Sequence, residues 1–267
     1  MGTIEDISLS DGEDELWSPG SVSFSLLASQ IGNVNSESLI CDLGAGGAVS
    51  SVAIARRTAA NVYAIDYSQI AIDSISRRAR EYSVLGNVKP IKMDVVQYIQ
   101  KAHNEGLVFD LILAEGGICG VVGHAKLLSE VKTIIKPRGV LIVTGFTYKG
   151  ISAQAGEKNK IIAGVPRAVS EYYEQTRFSQ GRREILYEEQ LLETIASFGF
   201  SIVMNFCASQ SHWSAYFQRM HRMAEMDIDV ARQHPHLARL TGIDEAFHNL
   251  MGRKHLSYSI VIVRALS

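Results

Sequence analysis

The sequence predicts an α/β chain organised as a doubly wound, mostly parallel seven-stranded sheet with helical cap insertions. Three observations carry this reading. Short apolar runs alternate with helix-like segments from about residue 38 to residue 144. A glycine-rich turn joins the first such run to the first helix of the alternation, and two later connections are too long for ordinary loops.

The stretch "SLICDLGAGGAVSSVAIARR" opens the alternation. Leu39, Ile40, Cys41 and Leu43 form a run typical of a strand buried on both faces, and Ser50 to Arg57 reads as a helix opening on a serine cap. Gly44, Gly46 and Gly47 fall in the turn between them, where residues without Cβ take positive φ and admit a ligand to the main chain and to free helix N–H groups. Asn61 to Ile65 then reads as a strand, Gln69 to Tyr82 as a helix, Val88 to Met93 as a strand, Val95 to Asn104 as a helix and Phe109 to Ala114 as a strand. In "HAKLLSEVKTIIKPRGVLIVTGF" the spacing of Leu127, Leu128, Val131, Ile134 and Ile135 is helical. A Lys-Pro-Arg-Gly break separates it from the strand Val140 to Thr144. A helix at Glu188 to Ser197 and strands at Phe200 to Cys207 and Ser257 to Val263 complete the sheet. Residues 1–38 are expected to form an N-terminal segment and lid, and 39–267 one domain with cap insertions at about 146–187 and 208–256.

Composition narrows the function. The chain has 267 residues, 46% of them hydrophobic, and a formal net charge of -2, which argues against a broad electrostatic grip on nucleic acid. No apolar run approaches the ~20 residues that span a bilayer, and the opening "MGTIEDISLSDGEDE" is acidic with no basic residue, the opposite of a targeting signal. Cys41, Cys119 and Cys207 form no CxxC pair and read as small buried core residues in a reducing compartment. His234 and His236 lack metal-ligand spacing and read as solvated loop residues. The expectation is a cytoplasmic protein without a metal, a nucleic-acid partner or a membrane partner. A homo-oligomer is compatible with it.

Four acids follow four consecutive strands: Asp42 near the end of the first, Asp66 in "VYAIDYS", Asp94 in "IKMDVV" and Glu115 in "LILAEGG". An acid after the second strand, about twenty residues past a glycine turn, can accept from both ribose hydroxyls. Asp94 adds an acceptor for an exocyclic adenine amine. With these residues in order, the sequence resembles the class I S-adenosylmethionine-dependent methyltransferases. "DLGAGGA" is similar to their Asp/Glu-x-Gly-x-Gly-x-Gly motif, with Ala48 where many members have a third glycine. "AEGGICGVVG" and "KPRGVLIV" resemble small-molecule enzymes of the ubiquinone-biosynthesis-like group, and "WSPG" resembles a segment that covers the cofactor in relatives.

The resemblance implies a Rossmann-like methyltransferase fold whose last two strands close as an antiparallel hairpin, S-adenosylmethionine as cofactor and in-line methyl transfer to a small-molecule acceptor. It brings Gly44, Ala45 and Gly46 to the methionine portion, Asp66 to the ribose, and Asp94 with Val95 to the adenine, with Tyr67 a further cofactor contact. Asp42 supports the turn or meets the ligand's amino group through water, and Glu115 completes the set. On the acceptor side the candidates are Trp17, Gly116, His124, Tyr148, Trp213 and Tyr216, joined by Tyr172 and Tyr173. His124 reads either as a base or as an ordinary first residue of a helix. The stripe of Trp213, Tyr216, Phe217 and Met220 reads either as an aromatic acceptor wall or as the core face of a helix. A nicotinamide-dependent oxidoreductase competes through the same turn and Asp66, but Val49 stands where its third glycine belongs. An RNA methyltransferase and a non-catalytic S-adenosylmethionine-binding protein compete as well.

Overall fold

The structure is a computed structural model and describes residues 19–20, 22–149, 184–226, 245–246, 248–249 and 253–266. Strands β1 (Leu39–Leu43), β2 (Asn61–Asp66), β3 (Val88–Lys92), β4 (Phe109–Ala114), β5 (Ile135–Tyr148), β7 (Phe200–Cys207) and β8 (Leu256–Ala265) form one sheet in the order β3-β2-β1-β4-β5-β8-β7, and the two-residue β6 (Leu186–Tyr187) pairs with β5 off this path. Strands β1 to β5 pair in parallel, and β8 runs antiparallel to both β5 and β7. This is the doubly wound sheet with the closing hairpin that the sequence predicts.

Side-chain alternation along the strands separates two cores. Ile40, Val62, Ala64, Leu111, Leu113 and Ile142 pack with α1 (Val22–Ile31), α2 (Val49–Thr58) and α3 (Gln69–Glu81). Cys41, Leu43, Ile65, Ile112, Ala114 and Leu141 face the other way, toward α4 (Val95–Asn104), α6 (His124–Lys132) and α7 (Glu188–Ser197). A short α5 (Ile118–Val122) precedes α6. Helices on both faces leave the carboxyl ends of β1, β2 and β4 as the edge where polar groups gather.

Several expectations are corrected. Helix α2 starts at Val49, and its cap is Ala48 in the left-handed region (φ 53) with no side-chain cap bond. Ser50 lies inside the helix, with its hydroxyl 2.9 Å from that of Ser25. Gly44 and Gly46 take positive φ, but it is Ala48 and not Gly47 that supplies the third such residue. The Lys-Pro-Arg-Gly segment does not break β5 from the helix before it. The strand extends back to Ile135 through a bulge opposite Phe109 and Leu111, where a proline lacking N–H is tolerated and Arg138 takes φ 64. Cys207 is exposed, unlike buried Cys41 and Cys119. Helix α8 (Gln210–Met226) buries Trp213, Tyr216 and Phe217 in the α1–α2 core, so the aromatic stripe is a packing face. Among the described residues no helix is long and apolar enough to cross a membrane.

Candidate functional site

The glycine turn is held from three directions. Gly44 and Ala45 both donate backbone N–H to the Ile65 carbonyl (2.9 Å each), which ties the turn to the end of β2. Gly46 donates its N–H to Asp66 Oδ2 (3.0 Å), and Ser68 donates to Oδ1 of the same carboxylate (2.9 Å). From α3 the fully buried Arg78 donates Nε–H to the Gly47 carbonyl (2.7 Å). A Cβ on Gly44 would lie 3.2 Å from the Ile118 side chain and at φ 73, so a side chain there is strained on two counts. Among the described residues nothing stands within 4 Å of a Cβ built on Gly46 or Gly116, so both present open backbone.

A buried acid cluster lies beside the turn. Asp42 accepts from Ser51 Oγ (2.6 Å), and Glu115 Oε1 accepts from Ser25 Oγ (2.8 Å) on α1. Burial, and then the neighbouring Glu115 charge, push Asp42 up to about 7 against the opposing Ser51 bond. Burial also raises Glu115, opposed by bonds from Ser50 and Ser25. Two carboxyl groups that resist joint ionisation are a receptor for a cationic amine, whose charge relieves their repulsion.

The remaining cofactor candidates line the same edge. Tyr67 is 62% exposed just past Asp66. Asp94 is exposed but serves as the cap of α4, its Oδ1 accepting from Val96 and Gln97 N–H, while Val95 is buried as the first residue of that helix. Asp94 thus performs a structural task whatever else it binds.

Past the turn, at the ends of β4 and β5, a small pocket is lined by Gly117, Gly120, His124, Gly145, Phe146, Glu184 and Ile185. Gly116 and Gly117 donate N–H to Thr144 Oγ1 and to the Thr144 carbonyl (3.0 Å each), which draws the glycine segment against β5. His124 is the first residue of α6 and is buried. Its backbone N–H donates to Glu184 Oε2 (2.7 Å), and its Nδ1 lies 2.9 Å from the same oxygen. Burial lowers the His124 pKa, and the Glu184 bond and charge oppose it. Burial would raise Glu184, but the backbone and ring bonds from His124 hold it below its ordinary value.

The remaining acceptor candidates do not join this pocket. Tyr148 is buried against Tyr187, with ring centroids 5.7 Å apart. Trp213 stands behind the pocket wall, 5.9 Å from the Phe146 ring and 3.9 Å from the stacked ring of His248, with Tyr216 at its edge. Trp17, Tyr172, Tyr173, His234 and His236 lie outside the described residues, as does much of each cap insertion. Among the described residues no cluster of His, Cys, Asp or Glu is arranged to hold a metal. Sequence reasoning missed Arg78 and Glu184. Arg78 is an arginine on a helix rich in them, and "RREILYEE" contains no spacing that marks Glu184.

The family described as "Methyltransferase domain" matches residues 35–225. No curated protein matches the chain by sequence. Among solved structures, it is similar to an SAM-dependent methyltransferase from Thiobacillus denitrificans in complex with S-adenosyl-L-homocysteine (TM-score 0.67, 17% identity, 99% of each chain covered). A second such enzyme, from Geobacter sulfurreducens and with the same ligand, gives TM-score 0.67 at 16% identity over 97% of this chain and 95% of that one. The geranyl diphosphate C-methyltransferase from Streptomyces coelicolor gives TM-score 0.60 at 14% identity over 91% and 79%.

Proposed function

The chain belongs to the methyltransferase-domain family, and from that premise we propose that it transfers a methyl group from S-adenosylmethionine to a small-molecule acceptor held at the ends of β4 and β5. The observation that carries this is the union of a bare, pinned glycine turn with a buried carboxyl pair and a third acid at the end of β2. These residues fit S-adenosylmethionine by charge and shape. Gly44 to Gly46 leave main chain open to it, Asp42 and Glu115 answer its ammonium group, and Asp66 answers its ribose hydroxyls. Tyr67 offers an exposed ring, and Asp94 with Val95 the start of α4, to the adenine.

When bound, that cofactor supplies a methyl group already activated on a sulfonium. The chain's own work is then orientation and water exclusion. Phe146 and Ile185 give the pocket apolar walls, while Gly117, Gly120 and Gly145 leave room between them. The net charge of -2 supports no polyanionic acceptor. Three free cysteines support a reducing, cytoplasmic setting.

Isothermal calorimetry with S-adenosylmethionine and with NAD tests the reading. Wild-type protein is expected to bind the first and ignore the second, and Gly44→Val to lose binding while its circular dichroism is retained. Binding of NAD alone, or unchanged S-adenosylmethionine affinity in Gly44→Val, would overturn it.

A further inference from the structure

The pocket contains one arrangement that methyl transfer does not require: a histidine whose ring is oriented by a carboxylate. Glu184 arrives from a distant part of the chain and is fixed twice, by its own N–H donated to the Gly120 carbonyl (2.9 Å) and by its Oε2 at the start of α6. With Nδ1 engaged by Oε2 at 2.9 Å, the neutral ring carries its proton there, and Nε2 is left as the basic nitrogen. Among the described residues no hydrogen bond reaches Nε2. The ring itself lines the pocket, together with Gly117 and Gly120, which carry no side chains.

We infer that His124 is the general base for the acceptor and Glu184 its positioning residue, so that the acceptor's nucleophilic atom is a hydroxyl oxygen or an amine nitrogen that gives up a proton on methylation. This rests on the methyl-transfer reading above. In the step, the acceptor's lone pair forms the new bond to the methyl carbon, the carbon–sulfur bond breaks with its pair going to sulfur, and the acceptor's proton passes to Nε2. The imidazolium so formed faces the Glu184 carboxylate and later releases its proton to solvent. Among the described residues the other titratable group at this corner is Cys119 on α5, which feels Glu184 and whose thiol burial pushes up to about 12, so it stays neutral. A neutral histidine at pH 7 is what a base needs, and burial supplies it.

The structural alternative is that Glu184 merely caps α6 through the His124 N–H. Glu184→Gln separates the two, because an amide oxygen keeps the cap while the charge is lost. Imidazole ¹⁵N NMR of the protein without cofactor should show His124 as the Nδ1–H tautomer, titrating below its ordinary range, and Glu184→Gln should move that titration lower still. Production of S-adenosylhomocysteine is then followed over a panel of phenols, alcohols and amines set against pyridines and thioethers. Turnover is expected only for the proton-bearing compounds. For an accepted compound the rate should fall in acid, with a limb lying below the ordinary histidine range and displaced further downward in Glu184→Gln. His124→Asn should lose about 10²–10⁴-fold in kcat while calorimetry keeps S-adenosylmethionine affinity within twofold. An Nε2–H tautomer, wild-type kcat in His124→Asn, turnover of pyridines or thioethers alone, or no turnover of any panel compound by protein that binds S-adenosylmethionine would each overturn the inference. Failure of wild-type protein to bind S-adenosylmethionine would instead overturn the reading on which it rests.

Discussion

The two halves of the candidate site are built on different principles. In the glycine-turn half, Asp42, Asp66, Asp94 and Glu115 each sit where a parallel strand ends, so chain direction alone brings them to one edge. In the pocket half, His124 meets a carboxylate 60 residues away, and Phe146 is backed by Trp213 and Tyr258 from other elements. Their electrostatics differ in the same way. Burial pushes Asp42 and Glu115 in the first half toward neutrality, ready for a cation, and pushes the histidine of the second toward neutrality, ready for a proton. A common ligand is served by the repeating part of the fold, and a variable one by what is inserted between repeats.

The sharpest way to break this division is at the wall between pocket and core. Trp213→Ala should cost about 3–5 kcal/mol of stability in denaturant unfolding, since a buried indole stacked on His248 leaves a large cavity. Affinity for S-adenosylmethionine in the folded fraction should stay within about threefold. A near-neutral stability change with lost methyl transfer would return Trp213 to the acceptor site.

The acid pair gives the next effect, through pH. Asp42 has a raised carboxyl pKa in the folded protein, so folding takes up a proton between its unfolded value and about 7. Its contribution is therefore present below pH 4 and lost as pH rises through 7, a change on the order of 4 kcal/mol without cofactor. Thermal unfolding of Asp42→Asn from pH 4.5 to 7.5 should lack most of that slope, and an equal slope in both proteins would place the titration elsewhere. At the far end of the same half, Asp66→Ala should weaken S-adenosylmethionine binding by about 1.5–3 kcal/mol. Calorimetry on a variant shown to be folded checks it, and unchanged affinity would leave Asp66 only its turn contacts with Gly46 and Ser68.

What could be read from the sequence follows the same line. Strands β1 to β4 and helices α4 and α7 are legible because buried parallel strands are continuous apolar runs and amphipathic helices keep their period. The four acids are legible because they follow those strands. The start of α2 is not, because Ser50 looks like a cap and is spent instead on the Ser25 and Glu115 cluster. The reach of β5 is not, because a bulge absorbs Pro137 where local rules place a break. Helical spacing of Trp213, Tyr216 and Phe217 tells that they share a face and not what the face meets. Glu184 has no local signature, since its role arises only when its segment docks on Gly120 and His124.

The smallest effect tests the turn against itself. Ala48 holds a left-handed conformation (φ 53) that glycine would adopt freely, which costs an alanine about 1–2 kcal/mol. Its methyl is almost fully buried in the α1–α2 core, however, and removing it forfeits about 0.8 kcal/mol of burial. The freer unfolded chain of a glycine variant costs a further ~0.4–1 kcal/mol. These contributions nearly cancel, so Ala48→Gly should change stability by less than about 0.5 kcal/mol and leave S-adenosylmethionine affinity within twofold. Gly44→Ala, at φ 73 and with Ile118 3.2 Å from the new methyl, has strain and no compensating burial, and should lose stability and affinity together. If the two variants behaved alike, the turn would be tolerant throughout, and the close approach of ligand to backbone at Gly44 would have to be abandoned.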